Sequence, residues 1–156
     1  MGVRERFGQE HPTIRGVRKE ALLEALTLGV DDNQRLDQIA KAAEEKLTIE
    51  VGYETEQRFD RFLEALDFVA ESREASERED NEEGTDRWVR FENEIGLPPL
   101  RVQIKSSSWG VKKFKDGEHF KRFKGKMIVI SCGGKTSQEK FKRAFIKEME
   151  RVRNLL

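Results

Sequence analysis

The chain of 156 residues is poor in cysteine, histidine and long apolar runs. It has one cysteine, Cys132, and two histidines, so an internal disulfide is excluded and a zinc site with Cys or His spacing is not expected. No apolar run approaches the ~20 residues of a membrane-spanning helix, and Met1 to Glu10 lack the apolar stretch of a secretory signal. These absences argue against a membrane protein and predict a reducing, cytoplasmic location.

Charge is abundant but unevenly distributed. Charged residues make up 38% of the chain and hydrophobic residues 36%, which is typical of a soluble domain with its own core. Residues 1–100 hold 14 Lys and Arg against 25 Asp and Glu, whereas residues 101–156 hold 16 against 5, a net charge of +11. The C-terminal part is therefore expected to meet an anionic partner. The alternative is that the two parts neutralise each other across their interface.

The N-terminal third of the chain predicts an arm followed by helices. Residues 1–16 show no period and predict an extended or loosely docked arm. Apolar residues at helical spacing predict two helices, over 17–28 and about 32–47, separated by Gly29. A DNA-reading helix–turn–helix is the weaker interpretation, because the second helix carries few basic residues. We expect residues 1–50 to form an arm and a plain helical hairpin packed on the core.

The order of predicted elements in residues 51–156 indicates a layered core domain of the α/β or α+β class. Two strands close together in the sequence are expected to form a hairpin. The final helix is expected to start at a capping box made by Thr136 and Glu139. The predicted elements are a helix over 55–72, an acidic solvated loop or frayed helix end over 71–83, strands over 87–91, 100–105 and 127–130, and a helix over 137–155.

A carboxylate, an amide and an ammonium group are expected to meet on this hairpin. Gln103 and Lys105 are two residues apart, so their side chains point to the same face of one strand. Asp86 opens the preceding strand two residues after Gly84, which allows a sharp turn. If the two strands pair, the three side chains converge at one edge of the sheet.

Phosphodiester hydrolysis requires a set of groups of this kind. The Asp86 carboxylate and the Gln103 amide oxygen are hard ligands suited to Mg²⁺, which neutralises phosphate and lowers the pKa of a bound water. Lys105 can position or deprotonate the attacking water, or stabilise the developing negative charge. Glu56 lies on the apolar face of its predicted helix and is a further metal-side carboxylate. Glu54 competes for this role but fits that face less well.

Three segments together resemble the PD-(D/E)XK nuclease superfamily, which has the restriction-endonuclease-like fold. They are Glu56-x-x-Phe59, Gly84-Thr85-Asp86 and Gln103-Ile104-Lys105-Ser106-Ser107, and the resemblance covers roughly residues 52–156. It implies an α/β core with a mixed central sheet flanked by helices, in the order helix, three antiparallel strands, helix, strand. It also implies DNA cleavage dependent on Mg²⁺, or Mn²⁺ in its place. The implied roles are metal ligand for Asp86, the usual Asp/Glu position for Gln103, catalytic lysine for Lys105 and helical acid for Glu56.

The basic segment that follows these strands is expected to bind DNA. Trp109 and Phe114 are interleaved with its lysines, as in a groove that follows a phosphate backbone, although aromatic residues at helical spacing more often belong to a core. His119 is a weaker candidate, because a lone histidine in a basic loop is usually just exposed. The predicted DNA contacts are Ser106, Ser107, Lys112, Lys113, Lys115, Lys121, Arg122 and Lys124.

Two other functions are compatible with the same residues. In the first, Asp86 caps a turn, Lys105 is a solvated strand residue and Glu56 a surface residue, in a catalytically inactive nucleic-acid-binding domain of the same fold. In the second, the chain is a helical adaptor whose basic C-terminal surface binds an acidic partner. The cluster of Asp86, Gln103 and Lys105 favours the nuclease. The N-terminal arm and the last helix are candidates for a homodimer contact.

Overall fold

The computed structural model describes residues 13–156, and the chain divides into two compact units between Glu54 and Thr55. Most of the predicted arm, residues 1–12, lies outside the described residues. The end of the arm was predicted wrongly, because Ile14 already begins a helix. The Thr13 hydroxyl accepts a hydrogen bond from the Gly16 N–H and so caps that helix. This is a standard way to satisfy a free amide at a helix N-terminus.

The first unit is built from two helices joined by a tight turn. Helix α1 spans Ile14–Thr27, and Gly29 follows it with φ +86°, the left-handed conformation that ends many helices. Helix α2 spans Asn33–Glu64 and so continues into the second unit. Within the first unit, Arg18 and Glu44 form an ion pair at 3.9 Å. The buried apolar side chains here are Ala25, Ala40 and Leu47.

Helix α2 replaces the two helices predicted over 32–47 and 55–72. It continues through Gly52, where an added methyl group would meet nothing within 4 Å. Glycine on an open helix face costs about 1 kcal/mol, which weakens a helix without ending it. The predicted C-terminal bound was also wrong: α2 ends at Glu64, and Val69 begins a strand. Strand pairing outweighs the helical spacing of the apolar residues there.

The acidic run predicted as a solvated loop or frayed helix end contains regular structure. Its first part belongs to strand β1, Val69–Glu74, and Glu77–Glu83 forms helix α3. Ser76 and Glu79 form a capping box, in which each side chain accepts the other residue's backbone N–H. This reciprocal capping stabilises a short helix despite its many like charges.

Four strands form one mixed sheet in the order β1-β2-β3-β4. The first three are successively antiparallel, as the predicted hairpin of β2 and β3 requires, and β4 runs parallel to β3. The sheet and its flanking helices confirm the predicted α/β class. The strands are β1, Val69–Glu74; β2, Arg87–Phe91; β3, Leu100–Lys105; and β4, Ile128–Ser131.

Helices cover both faces of the sheet. Helix α4 spans Ser108–Lys115 and α5 spans Glu118–Arg122, between β3 and β4; α6, Gln138–Arg153, follows β4. A 3-10 turn, Asn93–Ile95, lies between β2 and β3. The start of α6 was predicted one residue too early, because Ser137 rather than Thr136 provides the capping oxygen, which the Lys140 N–H reaches at 3.2 Å.

The apolar core lies between one face of the sheet and helices α2 and α6. Phe59 contacts Phe141 edge to face, with ring centroids 5.7 Å apart, and Phe141 stacks on Phe145 at 5.6 Å. Apolar residues at helical spacing predict an inner face for α6, which is right for Phe141, Phe145, Met149 and Val152 but wrong for Ala144 and Leu155, which are exposed. The strand residues in this core are Val89, Phe91, Leu100, Val102, Ile104, Ile128 and Ile130.

The opposite face of the sheet is covered by α4 and α5. The Lys105 ammonium lies 5.2 Å from the centre of the Phe114 ring, and the Arg101 guanidinium lies 4.4 Å from the centre of the Phe123 ring. This second face therefore combines charged strand residues with aromatic helix residues. Across residues 13–156, no helix combines the length and the apolar character needed to cross a bilayer.

Gly133 permits a close approach of two backbone segments behind this face. A methyl group at Gly133 would overlap with the Ser106 carbonyl oxygen, whereas at Gly134 the nearest heavy atom is the Arg58 guanidinium, 4.0 Å away. We expect Gly133→Ala to destabilise the protein by about 1–3 kcal/mol, as overpacking does. Gly134→Ala should be nearly neutral. Thermal unfolding of both variants tests this, and equal melting temperatures would contradict it.

Candidate active site

The β2–β3 register brings Asp86 beside Gln103. Arg87 pairs with Val102 in the antiparallel ladder, so the residue before Arg87 lies opposite the residue after Val102. The Asp86 N–H donates to the Val102 carbonyl at 2.9 Å, and the Ile104 N–H donates to the Asp86 carboxylate at 2.8 Å. The Asp86 carboxylate is therefore fixed against β3, next to Gln103.

Gln103 is buried with an unsatisfied oxygen. Its residue is 8% exposed, and within the described residues its side-chain Oε1 has no hydrogen-bond partner. A buried polar atom left without a partner costs about 1–3 kcal/mol. Such an atom in a native structure calls for an explanation, such as a bound water, a bound ion or a catalytic role.

Lys105 lies on the same strand face, two residues beyond Gln103. Its aliphatic stem is packed tightly, since a methyl group added at Gly110 would lie 3.3 Å from the Lys105 Cβ. Its ammonium lies over the Phe114 ring, an arrangement that attracts a cation without neutralising it. Helix α4 thus holds Lys105 from one side and leaves its charge available to an anion.

Glu56 is held at the site by a buried arginine. The Arg87 guanidinium is almost fully buried and lies 3.8 Å from the Glu56 carboxylate. It also forms two hydrogen bonds to Asp60, at 3.2 and 3.3 Å, and an ion pair with Glu74 at 3.7 Å. The buried Arg87 guanidinium therefore holds three carboxylates together at the N-terminal end of β2, and removing it would leave them unpaired.

Burial and like charges raise the pKa values of the site carboxyls. Loss of solvent is the largest cause for Asp86, whose pKa is raised to about 7; the negative charges of Glu56 and Asp80 raise it further, while the Ile104 hydrogen bond lowers it. The pKa of Glu56 is also raised, mainly by burial, and Arg87 opposes this. A carboxyl with so high a pKa is poised to exchange its proton for another cation.

Asp80 and Arg87 were not predicted as part of the site. Asp80 lies on α3, in the acidic run that was predicted as a loop or frayed helix end, and it raises the pKa of Asp86 both through its charge and through a side-chain hydrogen bond. The Ser76-x-x-Glu79 capping signature was the available signal for that helix. The alternation of strand β2 predicts that Arg87 points inward. No local sequence pattern predicts that its guanidinium contacts three carboxylates.

The donor set fits a hard divalent cation. Asp86, Gln103 and Glu56 offer oxygen atoms only, which is the chemistry that Mg²⁺ and Mn²⁺ accept. Within residues 13–156, no group of three or more Asp, Glu, His or Cys side chains is arranged to hold a metal ion. Mg²⁺ commonly uses one or two carboxylates and keeps several waters. The unpartnered Gln103 oxygen is therefore an important member of the set of oxygen atoms that could bind the ion.

The predicted DNA contacts lie on α4, α5 and the turns around them. Ser107 caps α4 by accepting from the Gly110 N–H at 3.1 Å, and Ser106 precedes it, exposed. Lys115 differs from the other predicted contacts, because its ammonium forms an ion pair with Glu148 at 3.1 Å. The exposed cations of the set are Lys112, Lys113, Lys121, Arg122 and Lys124.

The aromatic residues of this segment divide between interior and surface. Phe114 is half-buried and stacks on His119, with ring centroids 6.3 Å apart. His119 is not the exposed loop histidine that the sequence predicts, since it lies on α5 and packs closely against Gly84. Trp109, by contrast, is 70% exposed, so it does not belong to the core.

The raised pKa of Asp86 predicts a pH-dependent cost to stability in metal-free buffer. The folded state retains a proton, up to pH about 7, that the unfolded state releases near the ordinary value of 3.8, so stability falls as the pH rises through this window. Asp86→Asn keeps an acceptor for the Ile104 N–H and carries no charge. It should raise the melting temperature at pH 8 by a few degrees, at about 2–4 °C per kcal/mol, and have little effect at pH 4.

The measurement is thermal unfolding with a chelator at both pH values. Asp67→Asn is the matched control, because Asp67 is an exposed aspartate at the turn after α2. The control should not reproduce the difference between the two pH values. A melting temperature of Asp86→Asn that is unchanged or lower at pH 8 would contradict the assigned burial.

Comparison of the chain with protein-family models, curated proteins and solved structures found no match. The functional assignment therefore depends on the geometry and chemistry of the residues themselves.

Proposed function

We propose that the protein is a metal-dependent endonuclease of the PD-(D/E)XK type, hydrolysing phosphodiester bonds in DNA. The observation that carries the proposal is the position of Asp86 opposite Gln103, with Lys105 on the same face of β3. A carboxylate, an unpartnered amide oxygen and an ammonium group lie at one end of two paired strands. Hydrolysis of an anionic ester needs groups of these three kinds.

The order of elements supports the same proposal. The resemblance implies a helix, three antiparallel strands, a helix and a strand. The second unit has the end of α2, then β1 to β3 antiparallel with α3 inserted between β1 and β2, then α4 and α5, then β4 parallel to β3, then α6. The restriction-endonuclease-like core is the finer fold that we propose within the α/β class.

In the proposed site, Asp86 and Gln103 hold Mg²⁺ or Mn²⁺, with Glu56 as the further carboxylate. When bound, the ion supplies neutralisation of phosphate charge and a lowered pKa for a neighbouring water. The Ile104 N–H fixes one Asp86 oxygen at 2.8 Å. The Asp86 carboxyl also shares a hydrogen bond with Asp80, which a bound ion would displace. Arg87 holds Glu56 near the N-terminal end of β2. Gln103 contributes an oxygen ligand without adding negative charge.

Lys105 is the catalytic residue that acts on the reacting atoms. Its Nζ orients the attacking water and donates to the phosphate oxygen on which negative charge develops. The Phe114 ring restrains the ammonium without forming a competing ion pair. The exposed lysines of α4 and α5 bind the flanking phosphates and supply salt-dependent affinity.

Lys105→Ala should in effect abolish Mg²⁺-dependent DNA cleavage, lowering its rate by at least about 100-fold. It should leave DNA binding nearly intact. The measurement is cleavage of labelled DNA with Mg²⁺ and binding of the same DNA in chelator. Lys142→Ala is the matched control, since it removes the same charge from an exposed position on α6. Cleavage by Lys105→Ala at the wild-type rate would overturn the assignment.

Gln103 variants test the metal site without using activity. Gln103→Met removes the unpartnered oxygen with little change of shape, so the metal-free protein should be as stable or more stable, but should lose the rise in melting temperature that Mg²⁺ gives the wild type. Gln103→Glu adds charge beside Asp86, so it should destabilise the metal-free protein and enlarge that rise. Equal Mg²⁺ responses in all three proteins would contradict the role of Gln103.

The second candidate function is a nucleic-acid-binding domain without catalysis. The neutral Gln103 favours it, because it leaves one negative charge fewer for a metal than an acid would. This candidate predicts salt-sensitive DNA affinity without cleavage in either metal. The helical adaptor predicts no such affinity, so one salt titration separates it from both.

A further inference from the structure

Helix α4 presents an exposed aromatic and basic surface beside the proposed active site. Trp109 is 70% exposed at the second residue of the helix. Lys112 and Lys113 follow it by three and four residues, which places all three side chains on one helix face, and all three are exposed. We refer to these three residues as the Trp109 face.

The indole of Trp109 is exposed although other large aromatic side chains of this unit are covered. Trp88, the other tryptophan, is half-buried and donates its indole N–H to Glu79. Phe114, on the opposite side of α4, packs under Lys105. Packing of α4 against the sheet therefore does not require Trp109, whose indole is open to solvent.

The Trp109 face lies next to the catalytic lysine of the proposed nuclease. Trp109 follows Lys105 by four residues, and Gly110 packs against the Lys105 stem. The Lys105 stem therefore packs beside the residue that follows Trp109, on a helix whose diameter with side chains is about 10 Å. A polynucleotide with a phosphate at Lys105 reaches the Trp109 face within a small number of nucleotides.

We propose that Trp109 stacks on an unpaired base while Lys112 and Lys113 bind the phosphates beside it, so that the preferred substrate is DNA with a single-stranded segment next to the cleaved bond. The position of that segment relative to the cut rests on the proposed function, whereas the stacking does not. Away from its two ends, each base of a duplex is stacked on both sides. Within the strand, an indole ring can therefore reach a base face only where the bases are unpaired.

The charges around Trp109 favour a nucleic acid over a protein partner. Residues 108–126 hold seven Lys and Arg against two Asp and Glu, and exposed serine hydroxyls precede the indole. An aromatic ring between phosphate-binding cations is the arrangement with which proteins hold single strands. An apolar protein partner would require further exposed apolar residues on this helix face, and Lys112 and Lys113 occupy those positions.

The test compares three fluorescein-labelled DNAs of one sequence: a single strand, a duplex with a single-stranded tail, and a blunt duplex. Binding is measured by anisotropy in chelator, so that no cleavage occurs. Trp109→Ala should weaken binding of the single strand and the tailed duplex by about tenfold, which corresponds to about 1.4 kcal/mol and lies within the range for one stacked base. Binding of the blunt duplex should change less than twofold.

Two further variants establish that stacking is the cause. Trp109→Phe keeps an aromatic face and should retain most of the preference for unpaired DNA. Trp88→Phe leaves Trp109 as the single fluorescent indole, whose emission should be quenched by the single strand and not by the blunt duplex. Lys142→Ala, on α6, should bind all three DNAs as the wild type does.

Each remaining outcome overturns one proposal and leaves the other standing. Equal loss of affinity for all three DNAs in Trp109→Ala, or no loss for any, would overturn the stacking proposal. Unchanged DNA binding together with altered self-association would assign the Trp109 face to a protein contact instead. Loss of the preference in Trp109→Ala without any wild-type cleavage would support stacking and overturn the nuclease, whereas cleavage without the preference would do the reverse.

Discussion

The antiparallel register of β2 against β3 is the constraint on which the proposed site depends. The pairing of Arg87 with Val102 and the hydrogen bond from the Ile104 N–H to Asp86 are two aspects of the same alignment. A slip by one residue would turn every side chain of one strand to the opposite face. It would bury Asp86 in the apolar core and expose Val89, so the core that fixes the register also fixes the carboxylate.

The site concentrates negative charge that the fold offsets only in part. Arg87 neutralises carboxylates on one side of β2, but Asp86 lies on the other side, and burial with the charges of Glu56 and Asp80 raises its pKa. A neutral amide at position 103 avoids one more carboxylate in this field. A neutral Gln103 therefore favours the stability of the metal-free protein. It does so by leaving less negative charge for the cation of the proposed site.

Sequence patterns predicted the elements that bury one clear face. Strand β3 alternates apolar and polar residues, so Gln103 and Lys105 could be placed together without a structure. Strand β1 could not be predicted, because Glu71, Arg73 and Glu74 satisfy no apolar alternation and its pairing with β2 is a tertiary effect. For the same reason Asp80 and Arg87 were missed, since their partners lie on other elements.

Helix α4 links the proposed chemistry to the proposed recognition. The Ser107 cap starts the helix immediately after β3. Because the connection is so short, the position of α4 is fixed relative to the strand that carries Lys105. Its inner face restrains the Lys105 stem and ammonium through Gly110 and Phe114, while its outer face carries Trp109. A base stacked on that outer face and a phosphate at Lys105 are then held by one rigid element. Their separation is set by the width of a helix rather than by a flexible loop, which is how binding away from the reacting bond can position that bond.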